Sequence, residues 1–242
     1  MRVQDVPASH GWLWIKDGWA LFRKAPGMWL ILTMLWSTSM LAILMLMWPI
    51  GALALMVCYP PLVAIWIRAC ERVDKSGAFE IGKALQGASR NMGQLLVLGG
   101  LILLAQTILL SIALALIPID PELQQLAGKY PEISAEEIQA VAPSLVKVMV
   151  IQLGATLPVF IVAWFAPALI AFQGMGAWPA IRWSVYACIS NLGALAVYGL
   201  IGAMVMVAAG FLPLPIKLPV MLAMTPIFFA TVYTAYRDIF VD

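Results

Sequence analysis

The residues that could do chemistry are few and far apart in this sequence. His10 is the only histidine among the 242 residues, and the three cysteines, Cys58, Cys70 and Cys188, are widely separated. Haem ligation by two histidines needs a second one, and zinc sites need clustered cysteine, histidine or carboxylate ligands. The sequence also contains no phosphate-binding glycine loop, Cys-x-x-Cys pair or serine nucleophile elbow. We therefore predict no metal site, no cofactor and no catalytic residue.

The end of the chain holds the polar residues that are best placed to form a site. Tyr233, Tyr236, Arg237 and Asp238 follow directly on the last apolar run. An arginine–aspartate pair at a membrane interface usually anchors a helix end in water, which is one interpretation. The other is a functional polar cluster, because Asp238 comes directly after an apolar run and basic residues elsewhere could pair with it. Both interpretations stay open at this point.

Polar side chains inside the apolar runs are uncharged. Ion-coupled transporters place ionisable side chains within their helix bundles, where such groups are costly and functional. The third and fourth runs contain Gln106, Gln152 and Thr156 but no charge near their middle, which argues against a proton-driven pump. We expect Gln106 and Gln152 to hydrogen-bond across this pair of helices.

Composition places these residues in a membrane protein. The chain is 63% hydrophobic and 11% charged, with a mean hydropathy of +0.96, whereas a soluble domain has about 25% charged residues. The apolar runs are continuous and about 20 residues long, which is the length that a helix needs to cross the bilayer. A β-barrel would instead show shorter segments of alternating polarity. We predict an all-α integral membrane protein.

Six apolar runs are long enough to span a membrane. We predict spans at about 27–48, 52–69, 95–117, 144–172, 194–212 and 220–236. Turns are expected at 49–51 and in the proline-rich segment 213–219. Basic residues concentrate on the side of both termini, while the acidic segment 118–143 lies on the other side and contains a Ser134–Glu137 capping box. The positive-inside rule then places both termini in the cytoplasm.

A short pattern recurs in the even-numbered spans and indicates an internal repeat. A proline is followed four residues later by an alanine at Pro60/Ala64, Pro167/Ala171 and Pro226/Ala230. Because proline removes a backbone donor and clashes with the preceding turn, we expect these prolines to kink or interrupt their helices. We predict one membrane domain, 1–242, built as three parallel repeats of an amphipathic interfacial helix followed by a transmembrane hairpin. The repeats cover about 9–70, 79–172 with the insertion 118–143, and 177–242.

Each repeat opens with an amphipathic segment. These segments are 9–25, 79–92 and 177–192. In the first of them Trp12, Ile15, Trp19 and Phe22 share one helical face. Aromatic side chains with basic residues around them suit a helix that lies in the headgroup layer, and we expect all three segments along the cytoplasmic face. The basic residues expected to contact anionic headgroups are Lys24, Arg90 and Arg182.

Several stretches resemble an uncharacterised family of proteobacterial six-helix inner-membrane proteins. They are the opening Gly11-Trp12 with 18–26, the stretch 164–169, the pair Ser190-Asn191 and the closing 233–240. More remotely, the repeat is similar to the membrane domain attached to some glycerophosphodiester phosphodiesterases. The resemblance covers nearly the whole chain and implies a bacterial inner-membrane location. It implies no activity, because the catalytic domain of the phosphodiesterases has no counterpart here.

Three functions remain open from the sequence. The first is a non-enzymatic inner-membrane protein that organises or senses lipid, with anionic membrane lipids as partners, or that scaffolds an envelope protein. The alternative is a passive or facilitated transporter of an apolar or amphiphilic solute, because broken helices often surround transporter sites. The third is a membrane-bound lipid enzyme with Asp238 and the tyrosines as its polar centre. A net charge of +2 gives no reason to expect a nucleic-acid partner.

Overall fold

The computed structural model describes residues 2–116, 120–127 and 134–241. Within these ranges the chain is helical almost throughout, as the apolar runs predict. Two short strands are β1 (Arg2–Val3) and β2 (Phe240–Val241). The helices are α1 (His10–Lys24), α2 (Pro26–Leu46), α3 (Ile50–Ser76), α4 (Ile81–Ser89), α5 (Met92–Leu116), α6 (Pro121–Ala127), α7 (Ala135–Ala140), α8 (Ala142–Ala163), α9 (Ala166–Gln173), α10 (Ala177–Ser190), α11 (Leu192–Gly210) and α12 (Leu214–Ile239).

Six helical segments in the described part of the chain are long and apolar enough to cross a membrane. They are α2, α3, α5, the segment Ala142–Gln173 that includes α8 and α9, α11 and α12. The shortest has 19 residues, close to the ~20 that ~30 Å of hydrocarbon requires. The predicted all-α class and the predicted number of spans are confirmed, and the chain is a multi-pass membrane protein.

One predicted boundary is wrong. Helix α3 continues beyond the predicted end of the second span near Ala69 to Ser76, and its buried stripe there includes Cys70 and Val73. The turn expected at 213–219 is largely helical, since α12 begins at Leu214. Pro215 lies in the first turn of α12, where a backbone N–H would have no partner within the helix and proline is tolerated. The Ser134–Glu137 capping box is confirmed, while 117–119 and 128–133 of the acidic segment lie outside the described residues.

The three repeat prolines occupy two kinds of position. The fourth span breaks at Trp164 and Phe165, and Pro167 follows in the first turn of α9. Pro60 and Pro226 instead lie inside α3 and α12, which continue through them. The expected interruption is therefore found at Pro167 and not at the other two prolines. All three prolines are buried, and so are the alanines four residues later: Ala64, Ala171 and Ala230.

Tertiary contacts divide the chain into two units. The first comprises 1–100 and 162–242, and the second comprises 101–161. In the second unit, Gln106 Nε2 donates to Thr156 Oγ1 at 3.1 Å, and Gln152 Nε2 donates to the same oxygen at 3.2 Å. The two glutamines thus meet at a shared threonine rather than bonding to each other.

The second unit also holds a polar contact between Asp120, which lies outside the spans, and the start of α8. Asp120 accepts hydrogen bonds from Ser144 Oγ at 2.6 Å and from Lys147 Nζ at 3.2 Å. These two donors lower the pKa of the Asp120 carboxyl. Asp120, which precedes α6, is thereby joined to the first turns of α8.

In the first unit, α1 packs along the last turns of α12 and the first turns of α11. Two glycines permit this close contact. A Cβ atom at Gly11 would lie 2.2 Å from the carbonyl oxygen of Ala194, and one at Gly18 would lie 2.6 Å from Thr231 Cγ2. Because any side chain at these positions would overlap α11 or α12, the glycines define the face of α1 that is packed against the bundle.

The two ends of the described chain lie side by side. Strands β1 and β2 pair antiparallel, with Arg2 opposite Val241, and the Gln4 N–H donates to the Ile239 carbonyl at 2.9 Å. Asn191 adds two hydrogen bonds that hold the N-terminal segment in this position. Its Oδ1 accepts from the Val6 N–H at 2.8 Å and its Nδ2 donates to the Gln4 carbonyl at 3.1 Å. Both ends therefore lie on one side of the membrane, as an even number of spans requires.

The close crossing of α1 and α12 predicts a sharp difference between two glycine substitutions. Gly18→Ala should lower the free energy of unfolding by about 1–3 kcal/mol, because the added methyl group overlaps Thr231. Gly199→Ala in α11 is the matched control, since a Cβ there meets no atom within 4 Å. It should leave stability unchanged or raise it slightly through helix propensity. Thermal unfolding in detergent checks both variants, and equal melting temperatures would contradict the crossing.

Candidate functional site: a polar cluster at the ends of α1, α3 and α12

Polar side chains from three helices meet at the end of the first unit that holds both termini. We call this group the polar cluster, and it has two centres. Asp74 of α3 is the first, and Asp238 of α12 is the second. The cluster includes all four residues that the sequence singled out at the end of the chain, but it divides them among different partners.

Asp74 contacts two cations and a tyrosine hydroxyl. Its Oδ2 accepts a hydrogen bond from Arg237 Nη1 at 2.5 Å and another from the Tyr233 hydroxyl at 3.2 Å. On its other oxygen, Lys24 Nζ of α1 lies 3.6 Å away. Arg237 also lies 3.9 Å from Asp17 of α1. One carboxylate of α3 thus joins α12 to α1 through two cations.

Asp238 lies in a separate part of the cluster, against the start of α1. Its Oδ2 accepts a hydrogen bond from Trp14 Nε1 at 2.7 Å and lies 2.8 Å from His10 Nδ1. Successive residues on a helix point about 100° apart, so Arg237 and Asp238 cannot face the same neighbours. The basic partners expected for Asp238 from elsewhere in the chain are replaced by a histidine and a tryptophan of the first helix.

Tyr236 connects the cluster to α9. Its hydroxyl accepts a hydrogen bond from Gln173 Nε2 at 3.1 Å, and its ring lies 5.0 Å from the ring of Phe172. The guanidinium of Arg68 lies over the Phe172 ring, 4.6 Å from its centroid. A cation over an aromatic face is attracted by the ring quadrupole, so α9 is attached to both α3 and α12.

Arg68 also binds the backbone at the end of α9. Its Nη2 donates to the Ala171 carbonyl, and its Nη1 donates to Glu71 Oε2 at 2.9 Å. Asn91 Nδ2 donates to the neighbouring Ile170 carbonyl at 2.9 Å. Arg68 thus supplies a donor in the last turn of α9, where carbonyls lack partners within the helix. The Ile170 carbonyl already accepts from the Gly174 N–H at 3.1 Å, and Asn91 is its second donor.

The charges of the polar cluster pair side chains of different helices and so hold these helices together. Each carboxylate at its centres accepts at least two donors from a neighbouring helix or turn. Within the described ranges, no group of three or more metal-ligating residues is present. Removing one partner from such a partly buried pair leaves the other charge uncompensated, which is destabilising. The arrangement is that of a network joining α1, α3, α9 and α12.

The three predicted headgroup contacts differ in their surroundings. Lys24, Arg90 and Arg182 are all exposed. Lys24 shares Asp74 with Arg237 and is therefore partly neutralised within the protein. For Arg90 and Arg182 the described part of the chain supplies no carboxylate within 4 Å, so both remain available to a partner outside the protein.

Several residues of the network were missed in the sequence, among them Asp74, Arg68 and Trp14. Asp74 and Arg68 were assigned to a polar segment after the second span, and Trp14 lies outside the apolar face predicted for α1. A signal for α3 was present, because Arg68, Glu71 and Lys75 have the three- and four-residue spacing of helical ion pairs. For Trp14, the signal was the pair Gly11 and Gly18, which lie on the same face.

The network predicts that Asp74 contributes far more to stability than an ordinary surface carboxylate. Asp74→Asn should lower the free energy of unfolding by about 1–3 kcal/mol, the size expected for hydrogen bonds to charged groups. The matched control is Glu80→Gln, which breaks an exposed pair with Lys83 at 2.6 Å and should cost less than about 1 kcal/mol.

A double-mutant cycle isolates the pair from other effects of the substitutions. Arg237→Gln combined with Asp74→Asn should cost less than the sum of the two single changes, because either one already removes the 2.5 Å contact. Chemical or thermal unfolding in detergent measures all three variants. Strict additivity would show that Asp74 and Arg237 do not act as a pair.

No protein-family model, curated protein or solved structure matches this chain. The resemblance to six-helix inner-membrane proteins and to the phosphodiesterase membrane domain therefore stays a prediction.

Proposed function

We propose that this protein is a non-enzymatic, multi-pass protein of the bacterial inner membrane that organises or senses lipid, or scaffolds an envelope partner, with both termini in the cytoplasm. The observation that best supports this proposal is that the basic residues fall into two groups, those bound within the protein and those without a carboxylate partner. Cations of the polar cluster, such as Arg237 and Arg68, are bound to carboxylates and carbonyls of the protein. Arg90, just before α5, and Arg182, within α10, are exposed and have no carboxylate within 4 Å in the described part of the chain. Such cations attract anionic headgroups by about 1 kcal/mol each.

The proposal includes the threefold parallel repeat. Two asparagines at equivalent places in the predicted repeats support it, because each binds the backbone of another segment. Asn91 precedes α5 and donates to Ile170, while Asn191 precedes α11 and donates to Gln4. Pro26 takes the equivalent place in the first repeat, where it begins α2. The shared burial of the three proline–alanine pairs is a second point in favour.

Passive transport of an apolar or amphiphilic solute is the second candidate, and one feature favours it. A groove of about 360 Å³ runs between α2 and α12. Its lining is entirely apolar, so it suits an alkyl chain rather than a polar solute. The residues that line it are Leu30, Met34, Pro215, Leu218, Pro219 and Leu222.

The lipid proposal predicts which molecules accompany the purified protein. In native lipid discs, anionic phospholipid should be enriched around the wild-type protein relative to the bulk membrane. The triple variant Lys24, Arg90 and Arg182→Gln should reduce that enrichment, whereas Lys75→Gln, which only removes a pair with Glu71, should preserve it. Mass spectrometry of the extracted lipids measures the change. Stoichiometric recovery of a non-lipid solute would instead support transport, and an unchanged lipid profile in the triple variant would overturn the headgroup role.

The proposed orientation is tested separately. A periplasmic phosphatase inserted after Ala127 should be active, and a fluorescent protein fused after the last residue should fluoresce in the cytoplasm. Swapping the two reporters supplies the control, since each should then be silent. Activity of the same reporter at both positions would contradict six spans, and a reversed pattern would contradict the cytoplasmic termini.

A further inference from the structure

We propose that α1 and α10 each carry a stripe of aromatic and basic side chains that binds anionic phospholipid of the surrounding bilayer. We call these the α1 stripe (Trp12, Lys16, Trp19 and Arg23) and the α10 stripe (Trp178, Arg182 and Tyr186). The inference rests on the proposed lipid role and makes it specific, because it assigns the contact to these two faces. Most of these residues lie outside the set that the sequence suggested for headgroup contact.

The α1 stripe lies opposite the face of α1 that packs on the bundle. Trp14 is only 2% exposed, whereas Trp12 and Trp19 are 52% and 46% exposed. Lys16 and Arg23 are exposed beside them. Positions four, seven and eleven residues after Trp12 fall on one helical face, so the four side chains form a continuous band. The predicted apolar face was partly wrong, because Phe22 is buried and not on this band.

The α10 stripe repeats the arrangement on a second helix. The packed face of α10 consists of small residues, among them Ala180, Ser184 and Ala187. Facing away from them, Trp178 is 65% exposed, and Arg182 and Tyr186 are exposed at four-residue intervals. A tryptophan followed four residues later by a cation and then by a second aromatic residue thus occurs on both helices.

Both stripes lie where the chain enters the bilayer. Helix α1 is separated from the spanning helix α2 by Ala25 alone, and α10 is separated from α11 by Asn191 alone. Indole rings are favoured at the boundary between headgroups and hydrocarbon, because one part of the ring system is apolar and its N–H is polar. A lysine or arginine at that level faces the phosphates. An exposed band of this composition and position therefore fits anionic phospholipid.

The cations of the stripes are free to make this contact. In the described part of the chain, Lys16, Arg23 and Arg182 have no carboxylate within 4 Å, unlike Lys24, which lies near Asp74. Helix α4 provides a comparison within the same protein. It exposes Leu85, and its Lys83 is paired with Glu80 at 2.6 Å. No aromatic residue occurs in α4, so apart from Arg90 at its end it should show a weaker preference for anionic lipid than the two stripes.

Site-specific photocrosslinking tests the two stripes in the full-length protein. Benzoylphenylalanine replaces Trp12, Trp19 or Trp178 in discs that contain equal amounts of phosphatidylglycerol and phosphatidylcholine, and mass spectrometry identifies the lipid adducts. The matched control is the same replacement at Trp48, which is 72% exposed at the other end of α2 and has no basic neighbour in the adjoining sequence. We expect anionic adducts to be enriched about fivefold for each nearby cation. At Trp48 the adducts should reflect the disc composition.

Charge variants then assign the preference to each stripe. Lys16→Gln with Arg23→Gln should abolish the anionic enrichment at Trp12 and Trp19 and preserve it at Trp178. Arg182→Gln should do the reverse. Melting temperatures close to that of the wild type confirm that the variants remain folded, which is expected because these side chains are exposed.

Two outcomes would overturn the stripes. One is an adduct ratio at Trp12, Trp19 and Trp178 equal to that at Trp48, and the other is an enrichment that the charge variants do not change. Either result would reject the stripes. If lipid retention still depended on Arg90, the proposed lipid role would nevertheless be supported. Recovery of a non-lipid solute at stoichiometric amount would reject the proposed function whatever the crosslinks show.

Discussion

The structure depends on satisfying the backbone where the fourth span breaks. A helix interrupted inside a membrane protein exposes N–H and C=O groups that find no water in the hydrocarbon, and each must be paired within the protein. Here Phe165, at the break, donates its N–H to Ser184 Oγ at 3.1 Å. At the other end of the short helix that follows, Asn91 and Arg68 donate to the carbonyls of Ile170 and Ala171. A side chain of α10 therefore satisfies the break itself, and side chains of α3 and of the residue before α5 hold the far end of the short helix.

This pairing explains why the short helix α9 is a centre of packing rather than a loop. Every residue from Ala166 to Ala171 is buried, and Pro167 begins the helix where its missing N–H has no consequence. Arg68 has two roles, since the same guanidinium binds Ala171 and Glu71 and stands over Phe172. The hydrogen bond from Gln173 to Tyr236 attaches α9 to α12. The polar cluster is thus positioned by the same contacts that stabilise the break.

The sequence predicted what depends on local pattern. Continuous apolar runs predicted all six spanning segments, because a run of about 20 apolar residues has few alternatives to a membrane helix. The capping box at Ser134 was also predicted, because its pattern is contained in four consecutive residues. The pairing of Asp74 with Arg237 was not predicted, since it joins residues 163 positions apart and periodicity carries no information about such distances. The packed face of α1 was not predicted, because its closest contacts are made by Gly11 and Gly18, which add nothing to an apolar pattern.

The two faces of α1 have opposite surroundings. One face is fixed against the bundle by Gly18 and by the hydrogen bonds of Trp14 with Asp238 and Thr234. The opposite face presents Trp12 and Trp19 outward. At the end of the helix, Lys24 lies 3.6 Å from Asp74 while still 43% exposed, so an anionic headgroup and Asp74 would compete for the same ammonium group. Because Asp74 also holds Arg237, a change in the charge that Lys24 presents to Asp74 would reach α12 through one carboxylate.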